Sequence, residues 1–389
     1  MKQVSIAEAG VNLVLEQPDP PIAVSAVCRK SEGKTVIAHI SDLHFTSNTN
    51  SESGEWLALA EDLEPCGADL LAVTGDIVDG SIKDTFFKWR GIRRAFRNAH
   101  SYLAETLCAR LKINSADALI VVPGNHDCRT KGILEERDQS EIFREVFREQ
   151  FKNVLLPRLR LCVFVFDSNV VDRGANLATG LVQENDLVRF SGLVRQLSES
   201  PTLAEAWQSS SRLALLHHHP MPIAATEHRA GVSGREEFLL LRNAGLFMTE
   251  MVVRRIDLVL HGHKHYPAFS KATFPIDGSR EHTVIVVAAG SAGPGAASHP
   301  RSYNLITIAD NGEITLERKT HETATYRSVP YTLQTYEDAR RKKFERFAQK
   351  AKAQIKVKKL VRRDTIKAGS GDVHISESSI PFRRTIEMW

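Results

Sequence analysis

The chain of 389 residues is poor in cysteine, with five in all, and Cys28, Cys66, Cys108, Cys128 and Cys162 are scattered, odd in number and without a C-x-x-C pair. That spacing excludes a disulfide framework and a zinc ribbon, and a reducing, cytoplasmic setting is expected. Long apolar runs are also missing. In residues 1–33, Asp19 and three prolines interrupt the short stretches VNLVL and IAVSAV, so neither a signal peptide nor a membrane span is read there. An extra strand or hairpin ahead of the core is the reading that segment supports. Net charge is only +4, and 42% of residues are hydrophobic, enough for one large domain with extensions. No internal repeat is visible.

What is present is a series of short apolar runs, each ending in polar residues. The runs 34–40 (KTVIAHI), 68–74 (ADLLAVT), 118–122 (ALIVV), 212–216 (RLALL) and 256–260 (IDLVL) read as buried strands. They are followed by Asp42-Leu43-His44, by Gly75-Asp76-Ile77-Val78-Asp79, by Gly124-Asn125-His126-Asp127, by His217-His218-His219 before Pro220, and by Gly262-His263-Lys264-His265. Side chains at the carboxyl ends of such strands converge on one sheet edge, so residues far apart in sequence can share a site. Carboxylate, carboxamide and imidazole groups together suit divalent cations. Helical patterns at 54–64, 83–112, 136–153, 184–199, 235–251 and 336–353 separate the strands, and 283–289 and the 303–319 hairpin, turning at Asp310-Asn311-Gly312, follow the last motif.

These five segments, in this order, resemble the calcineurin-like metallophosphoesterases over roughly residues 34–310. The resemblance implies an α/β fold, a four-layer αββα sandwich of two mixed sheets flanked by helices. The domains expected are an N-terminal extension (1–33), the phosphoesterase domain (34–330) and a C-terminal extension (331–389). It also implies two divalent cations, of Mn, Fe or Zn. Asp42, His44 and His265 would hold the first, Asp76 would bridge, and Asn125, His263 and one histidine of the triple would hold the second. Counting back from Pro220 selects His218, whereas His217 emerges directly at the strand end; both stay open, with His218 preferred. A hydroxide between two cations about 3.5–4 Å apart would attack phosphorus in line with the leaving oxygen. His126 would protonate that oxygen, with Asp127 orienting it. Cys128 reads as packing.

The implied function is a metal-dependent phosphoesterase. Gly80 after Asp79, and Asp127 closing the third motif, bring the pattern nearer to cyclic-nucleotide phosphodiesterases than to protein phosphatases, so a nucleotide-type phosphodiester is the preferred substrate. A nuclease, a phosphomonoesterase or pyrophosphate hydrolase, and a metal-binding scaffold without catalysis stand as alternatives. Two basic stretches keep nucleic acid among the candidate partners. In 83–112, Trp89, Ile92, Phe96, Leu103 and Leu107 form a buried stripe, while Lys88, Arg90, Arg93, Arg94 and Arg97 crowd the first half; the four arginines are candidate substrate contacts. In 340–367, 13 Lys and Arg stand against Glu345 and Asp364. Both stretches read equally as solvated helix faces. The alternation around Ala368-Gly369-Ser370-Gly371 suggests a terminal hairpin, and a homo-oligomer contact through it is one further reading.

Overall fold

The computed structural model describes residues 22–79, 88–128, 139–169, 179–223, 240–277, 280–294, 300–322 and 325–330. Contacts divide the chain into Met1–Tyr331 and Thr332–Trp389, and the second unit lies outside the described residues, as do the helix expected at 336–353, the basic run and the terminal hairpin.

Two sheets form the core. One has seven strands in the order β1 (Ala23–Val24), β5 (Val154–Leu156), β6 (Leu161–Val165), β7 (Ser211–Leu215), β8 (Leu258–His261), β10 (Arg280–Ala288) and β9 (Ala268–Asp277). The other has six, β13 (Thr325–Pro330), β12 (Ile314–Glu322), β11 (Ser302–Ala309), β2 (Lys34–Ile40), β3 (Leu70–Thr74) and β4 (Leu119–Val122). Both are mixed: β6, β7, β8 and β10 run parallel in the first and β2, β3 and β4 in the second, while β9 and β11–β13 pair antiparallel.

The continuous apolar character of the central strands follows from burial on both faces. Successive side chains alternate, so Ile37, Leu70, Ala72, Ile120 and Val122 pack between the sheets against Val163, Leu213, Leu215, Leu258 and Leu260. Their neighbours Val36, Ala38, Leu71, Val73 and Val121 point outward to helices. Helix Gly54–Leu63 brings Trp56, Leu59, Ala60 and Leu63 to that outer face, and helix Lys88–Ser101 brings Ile92, Ala95, Phe96 and Ala99. Helices Glu184–Glu199 and Ala244–Val253 cover the other sheet with Leu187, Phe190, Leu197, Phe247 and Met251. Three apolar layers between four structural layers make the αββα sandwich.

Boundaries moved by a few residues. Helix Lys88–Ser101 continues through a π-helical turn, Tyr102–Leu107, to Cys108–Leu111, and the Tyr102 hydroxyl donates to the Trp56 carbonyl at 2.7 Å. The 136–153 pattern narrows to Gln139–Val146, and the 235–251 pattern to Ala244–Val253 within the described residues. Strands β5, β6, β9 and β13 were not among the expected ones. Residues 22–33 do contribute a strand: β1 pairs parallel with β5, while Lys30 N–H donates to Asp69 at 2.7 Å in the other sheet's half. No helix among the described residues is long and apolar enough to cross a membrane.

Phe96 is fully buried and its ring contacts Phe143 and Phe147, so it ties helix Lys88–Ser101 to helix Gln139–Val146. Phe96→Ala should destabilise by about 3–5 kcal/mol, the usual cost of emptying such a site. A urea midpoint equal to wild type would refute this packing.

Candidate metal centre

Seven side chains come together from beyond the carboxyl ends of five strands, three of one sheet and two of the other. Asp42 and His44 follow β2, Asp76 follows β3, Asn125 follows β4, His217 follows β7, and His263 and His265 follow β8. The loops are cross-braced: Asp42 N–H donates to the Gly75 carbonyl and His44 N–H to the Asp76 carbonyl, each at 3.0 Å, and Gly262 N–H donates to the His217 carbonyl at 3.1 Å. Asp42, His44, Asp76, His263 and His265 all take left-handed φ, between 49° and 79°. Non-glycine residues hold that region at a cost, and such strain clusters where function over-determines the backbone. Glycine is required beside them. A Cβ on Gly124 would lie 2.1 Å from Asp76 N and 2.3 Å from its Oδ1.

The donors fall into two groups joined at Asp76. In the first, with Asp42, His44, Asp76 and His265, His265 Nε2 lies 3.2 Å from Asp42 Oδ1 and 3.1 Å from His44 Nε2. In the second, His217 Nε2 is 3.4 Å from Asp76 Oδ2 and 3.1 Å from Asn125 Oδ1, and His263 Nδ1 is 3.1 Å from Asn125 Oδ1 and 3.2 Å from His217 Nε2. Ligands about 2.0–2.2 Å from one ion stand roughly 3–3.4 Å apart. Buried Asp42 Oδ1 has the His265 ring nitrogen beside it at 3.2 Å, and two pairs of imidazole nitrogens face one another. The donor set therefore fits divalent cations.

His217, not the preferred His218, occupies the second group. The Thr74 carbonyl can only accept, so His217 Nδ1, 2.7 Å away, donates to it and the Nε2 side faces the other donors. His218 turns its Nδ1 to Ser168 Oγ at 2.9 Å instead. The side chain beside His126 also differs from expectation. Asp127 is fully buried and accepts from Gly124 N (2.8 Å), Ile77 N (3.1 Å) and Val78 N (2.9 Å), clamping two motif loops together. His126 Nδ1 lies 3.6 Å from Asp79 Oδ1, its Nε2 3.9 Å from Asp76 Oδ2, and its backbone N–H donates to Asp76 Oδ1 at 2.8 Å. Asp79, three residues after Asp76 in the same motif, is the carboxylate nearest the His126 Nδ1.

Electrostatics separate centre from surroundings. Burial pushes the carboxyls of Asp42 and Asp76 up, but His265 beside the first and His217 and His126 beside the second hold both below the usual range. Burial works against a charged His217, yet Asp76 and Asp42 lift it to about 9. His265 is raised in the same way by Asp42, against burial. Burial keeps His44, His218 and His263 lowered, and pushes His39 to about 3 and His261 to about 4. Asp127 is driven up to about 7 by burial and by Asp76, in spite of its three N–H donors. Asp42 and Asp76 are thus held anionic, and the positive charge that they draw onto His217 and His265 is charge that a bound cation would replace.

Of the four arginines, Arg93 pairs with Glu145 at 2.9 Å, while Arg90, Arg94 and Arg97 are exposed on their helix.

A family model described as calcineurin-like phosphoesterase matches residues 35–267, more than half of the chain, and the chain belongs to that family of metal-dependent phosphoesterases. Among solved structures it is similar to GAP50, the anchor in the inner membrane complex of Plasmodium, at 10% identity over 77% of this chain and 89% of that one, with a TM-score of 0.40. It is also similar to Vacuolar Protein Sorting 29 from Cryptosporidium parvum, at 12% identity over 77% and 98%, with a TM-score of 0.33. No curated protein matches the sequence.

Gly124→Ala should abolish the upward shift in melting temperature that Mn2+ gives the wild type, because the new methyl displaces Asp76. Gly192→Ala, in open space on helix Glu184–Glu199, should keep that shift and add about 0.5–1 kcal/mol of stability. Equal Mn2+ shifts in both variants would show that Asp76 does not hold the cation.

Proposed function

We propose that the chain hydrolyses a nucleotide-type phosphodiester, using two divalent cations held by Asp42, His44, Asp76 and His265 on one side and by Asp76, Asn125, His217 and His263 on the other. The observation that carries this reading is the pair of donor groups sharing one buried carboxylate at the strand ends. When bound, two cations supply Lewis-acid charge to the phosphoryl group and make a coordinated water nucleophilic near neutral pH. The mixed oxygen and nitrogen donors accept Mn, Fe or Zn.

The chain's own residues do the rest. Asp76 ties the two positions together, and Asp127 fixes the loops that deliver Asp76 and Asn125. His126, 22% exposed at the rim, is the proton donor to the leaving oxygen, placed 3.6 Å from Asp79 and 3.9 Å from Asp76. Gly80 and Asp127 in the motifs support a diester rather than a phosphoprotein substrate. The scarcity of cysteine supports a cytoplasmic setting. A second reading, a nuclease, is supported by exposed Arg90, Arg94 and Arg97 on one helix, which suits a phosphate-rich chain.

A metal-supplemented panel of a generic diester, a monoester, cyclic nucleotides and single-stranded and duplex nucleic acid separates these readings. Diester turnover that requires metal is expected, and Asp76→Ala should abolish it while the fold persists. Full turnover in excess chelator, or in that variant, would end the two-cation reading.

His126→Ala should retain metal yet lose about 10²–10⁴-fold in rate on esters with poor leaving groups. A nitrophenolate leaves without a proton and should suffer much less. Equal losses on both ester types would assign His126 to positioning instead.

A further inference from the structure

The loop after β6 touches both halves of the second donor group. Ser168 is fully buried and Asn169 is 8% exposed. Ser168 Oγ accepts the backbone N–H of His217 at 3.3 Å and of His218 at 3.2 Å. Those two bonds engage its lone pairs, so its own proton goes to His218 Nδ1, 2.9 Å away. The Ser168 hydroxyl thus contacts the His218 ring through Nδ1 while it holds the His217 strand end through the two backbone bonds. Gly180 lies close against His218, where a Cβ would come 2.4 Å from His218 Cγ, and His263 sits at 4.5 Å between centroids.

Asn169 faces the other way. Its Nδ2 donates to the Pro123 carbonyl at 3.1 Å, immediately before Gly124-Asn125, and to Asp167 Oδ1 at 2.8 Å. Asp167 also accepts Asn169 N–H at 3.0 Å and lies 3.4 Å from Arg144 of helix Gln139–Val146. His217 follows a strand of the seven-stranded sheet and Asn125 a strand of the six-stranded one. Two adjacent residues thus brace partners that arrive from different sheets.

We infer that Ser168 and Asn169 are positioning residues for the second cation, Ser168 by holding the His217 strand end and Asn169 by holding the loop that carries Asn125. The inference rests on the proposal that Asp76, Asn125, His217 and His263 hold a cation. Nothing in it requires either side chain to touch metal or substrate. Partners of ligands of this kind are worth about 10–100-fold in metal affinity.

The test is a titration of metal-free protein with Mn2+ alone, followed by calorimetry and by electron paramagnetic resonance. Wild type should take up two equivalents, and failure to do so would overturn the two-cation proposal itself. Ser168→Ala and Asn169→Ala should each bind the first equivalent as wild type does and the second about 10–100-fold more weakly. The spin-coupled signal of the pair should then give way to an isolated Mn2+ signal at one equivalent. The first equivalent doubles as the folding control. Unchanged affinity for both equivalents, or parallel loss of both, would overturn the positioning role. Should Ser168→Ala not yield folded protein, Ser168→Cys carries the same comparison with a weaker acceptor of similar shape, and the same outcomes decide it.

Discussion

Everything at the strand ends is arranged around one carboxylate. Asp76 is almost fully buried, adopts φ 49°, and is the residue shared by both donor groups. Its Oδ1 accepts the His126 N–H, and its Oδ2 faces His217 Nε2. Burying an ionised carboxylate costs several kcal/mol unless charge and hydrogen bonds offset it. Here the offset comes from every neighbouring loop: His217, His126 and His44 lower its pKa against burial. The flanking glycines follow from the same constraint, since a Cβ on Gly75 would come 2.5 Å from His217 Nδ1 and one on Gly124 would enter Asp76. The parallel strands supply rigidity, and the loops supply the unusual backbone.

Behind these loops lies a polar layer inside an otherwise apolar sandwich. His39 contacts Thr74 Oγ1 at 2.9 Å, Ser41 Oγ donates to the Thr74 carbonyl at 2.9 Å, and that same carbonyl takes the His217 Nδ1 proton. Ser291 Oγ donates to the Asp42 carbonyl at 2.7 Å. Thr74 therefore couples β2, β3 and β7 just before the chain turns into Asp76. A half-satisfied network of this kind would be worse than an apolar one, whereas a connected one fixes ring orientation and tautomer. Stability is given up locally so that donor geometry is not left to rotamer freedom.

Much of this was legible in the sequence because strand ends carry both signals at once. An apolar run followed by Asp, Asn or His announces a buried strand and a donor at its carboxyl end, and Asp42, His44, Asp76, Asn125, His263 and His265 all stand where that pattern put them. The triple histidine was not decidable in that way. A shift of one residue sends a side chain to the opposite face, and what selects His217 is the Thr74 carbonyl and the Ser168 hydroxyl, 143 and 49 positions away in sequence. Asp127 misled for a similar reason: its neighbour in sequence is His126, but its partners are the amides of Ile77 and Val78, fixed by loop packing. Strands β5 and β6, three and five residues long around a Pro157–Leu159 turn, end in no donor motif of the kind that marked β3, β4, β7 and β8. With them went the loop bearing Ser168 and Asn169.

Exposure gives the centre a direction. Asp42, Asp76 and His217 are closed off within the sandwich, while the side chains of His126 and His265 keep 22% and 25% of their surface open and Asp79 keeps 32%. Among the described residues, the first group and His126 are therefore partly open to a phosphate ester. The His44 ring stacks edge-on to both His126 and His265, each at 4.9 Å between centroids, and forms the floor of that approach. On the opposite side the second group is walled in by His218, His219 and the loop braced at Ser168. The two halves differ in exposure: the first group and His126 lie partly open, and the second is packed against His218, His219 and Ser168. Precision in the enclosed half must come from hydrogen bonds rather than from substrate, which is why buried hydroxyl and amide partners gather there.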